Sequence, residues 1–184
     1  MNTGIAVLVA FALALTAIAC AGGLPEGRTG VGAIDSVLDA IEADDAALLK
    51  PLLQFSMTPC LIGFPAGIEP VCAEGDAIGT LVRTFLLASC EGTFNNPSDP
   101  DTQSNEIVGR DLSLYGVYEA PADLHVPADY VVMFAQAGAE GTAGVSLYIA
   151  EDQVIGIDEQ CGFAPAVLAD FLGLGDPLFV PDAR

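Results

Sequence analysis

A run from Gly4 to Ala19 that is apolar but for Thr16, closed by Cys20 and followed by Ala21-Gly22-Gly23, constrains this chain more than any later segment. The run has the length of an export-signal core. Ala17-Ile18-Ala19-Cys20 has the form of a bacterial lipobox, in which the Cys20 thiol takes a diacylglycerol and the chain is cut before it. Ala17 stands where that motif usually carries Leu, and no Lys or Arg precedes the run. The same residues also read as an ordinary signal cut near Ala19 or Ala21, or as an uncleaved anchor over Gly4 to Leu24. All three readings place the remainder outside the cytoplasm, where thiols oxidise.

That compartment gives meaning to Cys60, Cys72, Cys90 and Cys161. An even set of cysteines in an exported chain reads as two disulfides, for which three connectivities exist. The pairing expected is Cys60 with Cys72 and Cys90 with Cys161. It closes loops of about 13 and about 70 residues, worth roughly 3 and 4 kcal/mol in the chain-entropy description. A zinc site is the competing reading, but the chain has no C-x-x-C pair and His125 is its only histidine. No metal and no cofactor is expected.

After the leader about 165 residues remain, enough for one domain with its own core. They divide into a signal peptide at 1–19, a flexible Gly-rich tether at 20–32, a single domain at 33–173 and a C-terminal tail at 174–184. The chain has 25 acidic residues against 5 basic ones, Arg28, Lys50, Arg83, Arg110 and Arg184, for a net charge of −20. Such a field repels nucleic acid and anionic membrane surfaces, so membrane contact is expected through the lipid anchor only. High salt or an acidic habitat would suit this surface, and plain solubility explains it as well.

Val31, Ile34, Val37, Leu38 and Ile41 recur at helical spacing with Asp35, Asp39 and Glu42 opposite. Asp44-Asp45 breaks this helix, and Asp45 is placed to cap a second one through Leu48, Leu49, Leu52 and Leu53, with Pro51 limiting its regularity. Ser56 to Gly79, rich in Pro and Gly, reads as a loop pinned by its disulfide. Thr80 to Cys90 reads as a strand with Leu81, Arg83, Phe85 and Leu87 on one face, with a helix competing because Leu81, Phe85 and Ala88 also fit its period, and Asn95 to Asn105 reads as a polar loop. Strands are predicted over Leu112 to Glu119, Tyr130 to Ala137, Val145 to Ala150 and Val154 to Glu159, the last pair joined by a tight Glu151-Asp152 turn. A short helix from Pro165 to Leu172 and an extended tail close the chain.

Helices followed by an antiparallel meander make an α+β order. The segment AIDSVLDAIEADDAALLKPLL resembles the opening helices of the NTF2-like, or SnoaL-like, superfamily, and YVVMFAQAG, GVSLYIAED and QVIGIDEQCG are similar to its closing strands. The resemblance runs over about residues 31 to 162 and rests on order and periodicity. It implies a cystatin-like cone: N-terminal helices packed on a curved antiparallel sheet and enclosing a pocket, here stapled by two disulfides. In that frame the pocket candidates are Asp158 as a carboxylate, Tyr118 and Tyr130 as hydrogen-bond donors, and Arg83 on an otherwise apolar strand face.

Other motifs carry less. His125 lies between Pro121 and Pro127 on a surface loop, and no G-x-S-x-G is present. Asp99-Pro100-Asp101-Thr102-Gln103-Ser104 begins like a calcium loop, but Ser104 takes the place of the turn glycine and Arg110 that of the bidentate glutamate. GRTGVG at 27–32 has neither a preceding strand nor a lysine, so it does not read as a phosphate cradle. The function expected is therefore that of an exported, lipid-anchored domain without catalytic residues, binding a small apolar ligand or an envelope protein. An extracytoplasmic isomerase or lyase and a structural envelope protein are the alternatives.

Overall fold

The helical spacing of Ile34, Val37, Leu38 and Ile41 forms α1 (Gly32–Glu42) with that stripe buried. The computed structural model describes residues 28–62, 70–89, 92–138, 141–159 and 162–181. The leader, Cys20 and the expected Cys90–Cys161 pair lie outside the described residues. The Asp35 carboxylate fastens the approach to α1 by accepting from the Thr29 amide and hydroxyl, both at 2.8 Å, and from the Gly30 amide at 3.1 Å. Asp44 ends the helix with φ 51°, and Asp45 then caps α2 (Ala46–Leu49), accepting from the Ala47 and Leu48 amides as expected. Pro51 confines the continuation to a 3-10 turn at Lys50–Leu52.

Seven strands follow: β1 (Ser56–Pro59), β2 (Leu81–Ser89), β3 (Gly92–Pro97), β4 (Leu112–Glu119), β5 (Tyr130–Gly138), β6 (Gly141–Ala150) and β7 (Gln153–Glu159). Helix α3 (Pro100–Val108) stands between β3 and β4, and α4 (Pro165–Phe171) follows β7. Strands β4 to β7 form an antiparallel meander, with Glu151 and Asp152 at φ 48° and 65° making the tight turn read from the sequence. Together the strands make a curved, unclosed sheet, with register shifts at Leu114/Gly116 and at Tyr148/Ile149.

The sheet is mixed, not antiparallel throughout. β7 returns beside β2 in the same direction, with Leu86 opposite Gly156 and Ser89 opposite Glu159. Thr84 pairs with both Ser56 and Pro97, while Leu86 to Ser89 pair with both β3 and β7. β1 and β7 therefore succeed one another along one side of β2, and β3 covers the other.

Two expected loops contain regular structure. Within Ser56 to Gly79, β1 is a strand, and the segment beyond it is pinned by the Cys60–Cys72 disulfide. Within Asn95 to Asn105, β3 gives way to α3. The signal for α3 is its start: the Asp99 carboxylate accepts from the Asp101 and Thr102 amides, each at 3.0 Å, and Pro100 takes the first helical position. The helix then anchors through Ile107 and Val108 at its far end, too few apolar residues to reveal a period.

Both faces of the sheet are covered. On one, Phe85, Phe134, Leu147, Ile149 and Ile157 pack against Ile34, Leu38, Leu49 and Ile107 from α1, α2 and α3. On the other, Ala88, Tyr118, Val131, Met133 and Tyr148 pack against Leu168 and Leu172 of the C-terminal segment and Val126 of the β4–β5 connection. The tail continues past α4 to the β4 edge, where Phe179 bridges Val117.

Gly156 reports on the parallel seam. A Cβ there would lie 2.5 Å from Leu86 Cδ2 and 3.1 Å from the Leu86 carbonyl oxygen. Gly156→Ala is expected to destabilise the domain by about 1–3 kcal/mol, read from the denaturant midpoint at constant slope. An unchanged midpoint would contradict the close β2–β7 approach.

Candidate functional site

The four sequence-derived pocket residues do not converge. Asp158 and Tyr118 lie on the face covered by α4, Tyr130 packs against the core of the opposite face, and Arg83 is exposed on β2 beyond the helices. Tyr118 folds back over its own strand, where a Cβ on Gly116 would come within 3.1 Å of its hydroxyl. Burial, and then the neighbouring Tyr115, push its ionisation above the ordinary tyrosine value.

The polar centre that does form is buried. Asp158 is fully enclosed, and the Tyr148 hydroxyl donates to its Oδ2 at 2.5 Å. Ser146 stands opposite Asp158 in the β6–β7 register, and its Oγ is buried without a hydrogen-bond partner among the described residues. The exposed His125 ring meets the Tyr148 ring edge-on, with centroids 5.9 Å apart. Tyr148 and Ser146 were missed in the sequence, where they read as ordinary strand residues. The available signal was cross-strand: Ser146 and Tyr148 are two apart on β6 and flank the one carboxylate inside the apolar run of β7.

Tyr148 ionises far above its ordinary value. Burial is the largest cause, followed by the Asp158 charge and the hydrogen bond between them. Its phenol therefore keeps its proton at neutral pH and donates to Asp158 Oδ2. The buried Asp158, bonded through its Oδ2, joins β7 to β6 beneath α4, and nothing opens it to a substrate among the described residues.

An open cleft of about 530 Å³ lies elsewhere, and its lining includes Tyr130, Ile149 and Ala33. Glu119, Asp129, Glu151 and Asp152 also line it, a field that repels anions. Asp129 is committed to structure, since its Oδ2 accepts from the Glu151 amide at 3.0 Å in the β6–β7 turn. Among the described residues no three His, Cys, Asp or Glu side chains are placed to hold a metal ion. The other loops singled out in the sequence have local duties. Asp99 accepts from the Thr102 side chain and from the α3 amides, and these bonds hold its carboxyl below its usual range. Thr29 and Gly30 give their amides to Asp35, not to a phosphate.

Tyr148→Phe removes the donor and leaves the carboxylate buried, so a loss of about 1.5–3 kcal/mol is expected from equilibrium unfolding. The wild-type contribution has a definite pH sign. An unfolded tyrosine releases its proton near pH 10, and the folded Tyr148 keeps it. Stability is thus full below about pH 10 and falls as pH rises above it. Tyr148→Phe should flatten that alkaline decline; an equal slope in both proteins would contradict the assignment. No family model matches this chain, and no curated protein and no solved structure matches it either.

Proposed function

We propose that this chain is an extracytoplasmic, lipid-anchored domain of NTF2-like architecture that binds another protein at its outer surface. The observation that carries the reading is the filled layer between helices and sheet. Phe85, Phe134, Leu147, Ile149 and Ile157 are each no more than 1% exposed, and they occupy the space where a cone-shaped relative would hold a ligand. Among the described residues these side chains fill that layer, and the cleft described above is lined by carboxylates. The isomerase or lyase alternative takes Asp158 as its carboxylate, and Asp158 is enclosed and held by Tyr148.

Two features support the architecture and compartment. Helix, acidic break, helix and closing meander follow in the order the superfamily resemblance implies. The Cys60–Cys72 disulfide fits an oxidising compartment.

An intact-mass spectrum of the protein taken from its own host tests the reading. The expected species starts at a diacylated Cys20, has its other four cysteines oxidised and carries no small non-covalent adduct. A stoichiometric low-mass ligand, or a chain that keeps residues 1–19, would overturn it.

A further inference from the structure

The basic residues of this chain are few, and the structure assigns most of them internal partners. Arg28 bridges Asp39 and Glu42, Lys50 meets Asp101 at 2.6 Å, and Arg110 meets Glu159 at 2.5 Å. Arg83 differs. Among the described residues it makes no ion pair, although the chain carries 25 carboxylates. Ser98 stands beside it on the β3 side, its amide donating to the Arg83 carbonyl at 3.2 Å, and its neighbours toward β1 and along β2 are apolar. The register sets Arg83 opposite Met57 and Leu81 opposite Pro59, and residues alternate across a strand, so these four side chains share the face that Phe85 continues into the core. The Phe55 and Phe85 rings, 5.3 Å apart, form the buried end of this ladder. Beyond them the helices no longer cover the sheet: Met57 is 57% exposed and Leu81 59%. At the outer end, where Cys60 and Gly79 exchange backbone bonds with their neighbours, Ile78 is 65% exposed.

An exposed cation flanked by uncovered apolar side chains has the make-up of an interface hot spot, where apolar neighbours lower the water around a charge pair. We propose that the Met57–Arg83–Leu81 face docks a segment of a partner protein that places a carboxylate on Arg83 between apolar side chains. Charge selects this occupant. A guanidinium with five fixed donors takes a carboxylate as a two-pronged pair, and no carboxylate of its own chain fills the position among the described residues. A second copy is disfavoured, since each brings a net charge of −20, and the same charge opposes an anionic membrane. This inference rests on the protein-binding reading above and adds the site and the partner's chemistry.

The test places a photo-crosslinking side chain at position 57 or 81 of the full-length protein in its host, with positions 167 and 171 of α4 as separate probes, and maps the crosslinked peptides. The expected result is that positions 57 and 81 label one segment containing an Asp, Glu or C-terminal carboxylate beside apolar residues. Arg83→Glu should reduce that labelling about tenfold or more while the unfolding midpoint stays unchanged, and Arg83→Lys should retain part of it. Reversing the partner's acidic residue to Arg should restore labelling of Arg83→Glu. Labelling that survives Arg83→Glu, or that falls on lipid, on a second copy or on a segment without a carboxylate, would overturn the proposal. Labelling of a partner from α4 alone would overturn this site and leave the binding reading standing. No labelling from any position would remove both.

Discussion

Everything in this domain depends on a central strand pair that tolerates water on neither face. Val131 to Phe134 on β5 and Val145 to Ile149 on β6 are consecutive residues no more than 1% exposed, so alternate side chains enter opposite layers and both layers must be filled. The N-terminal helices and α3 fill one. The second requires α4, the β4–β5 connection and the reach of Tyr148 and Met133 beneath them. The chain after β7 is thus part of the core: Leu168 is fully buried, and the tail beyond α4 closes the β4 edge through Phe179.

This two-sided burial explains where the polar groups lie. Asp158 falls on the α4 layer because β7 alternates, and a carboxylate there needs a donor of the right reach, which Tyr148 supplies from the neighbouring strand. The same arrangement keeps the pair from chemistry, since the layer that excludes water also excludes a substrate. In the proposed reading recognition falls to the outer surface, where the helices end before the sheet does and Met57, Leu81 and Arg83 remain uncovered.

Much of this was legible in the residues. The stripe of α1, the Asp45 cap, the Glu151-Asp152 turn and the strand limits Leu112 to Glu119 rest on local patterns that tertiary contacts leave unchanged. Others were hidden. The α3 helix carries its buried apolar residues, Ile107 and Val108, at one end only, so no apolar period marks it out of a polar segment. The parallel β2–β7 seam joins strands some seventy residues apart, and no local pattern encodes a pairing of that kind. The candidate site was misread for a related reason. Period two assigns a residue to a face but not to a neighbour, so Arg83, Tyr118, Tyr130 and Asp158 looked like one constellation while belonging to different layers and ends of the sheet.

The sealed second layer is the central claim, and Ser146 sits at its middle. Thiol labelling of Ser146→Cys in the oxidised protein measures it most directly. The account predicts labelling no faster than global unfolding, because Ser146 is fully enclosed beneath α4. Rapid labelling under native conditions would show that face open to solvent and contradict the two-sided sheet.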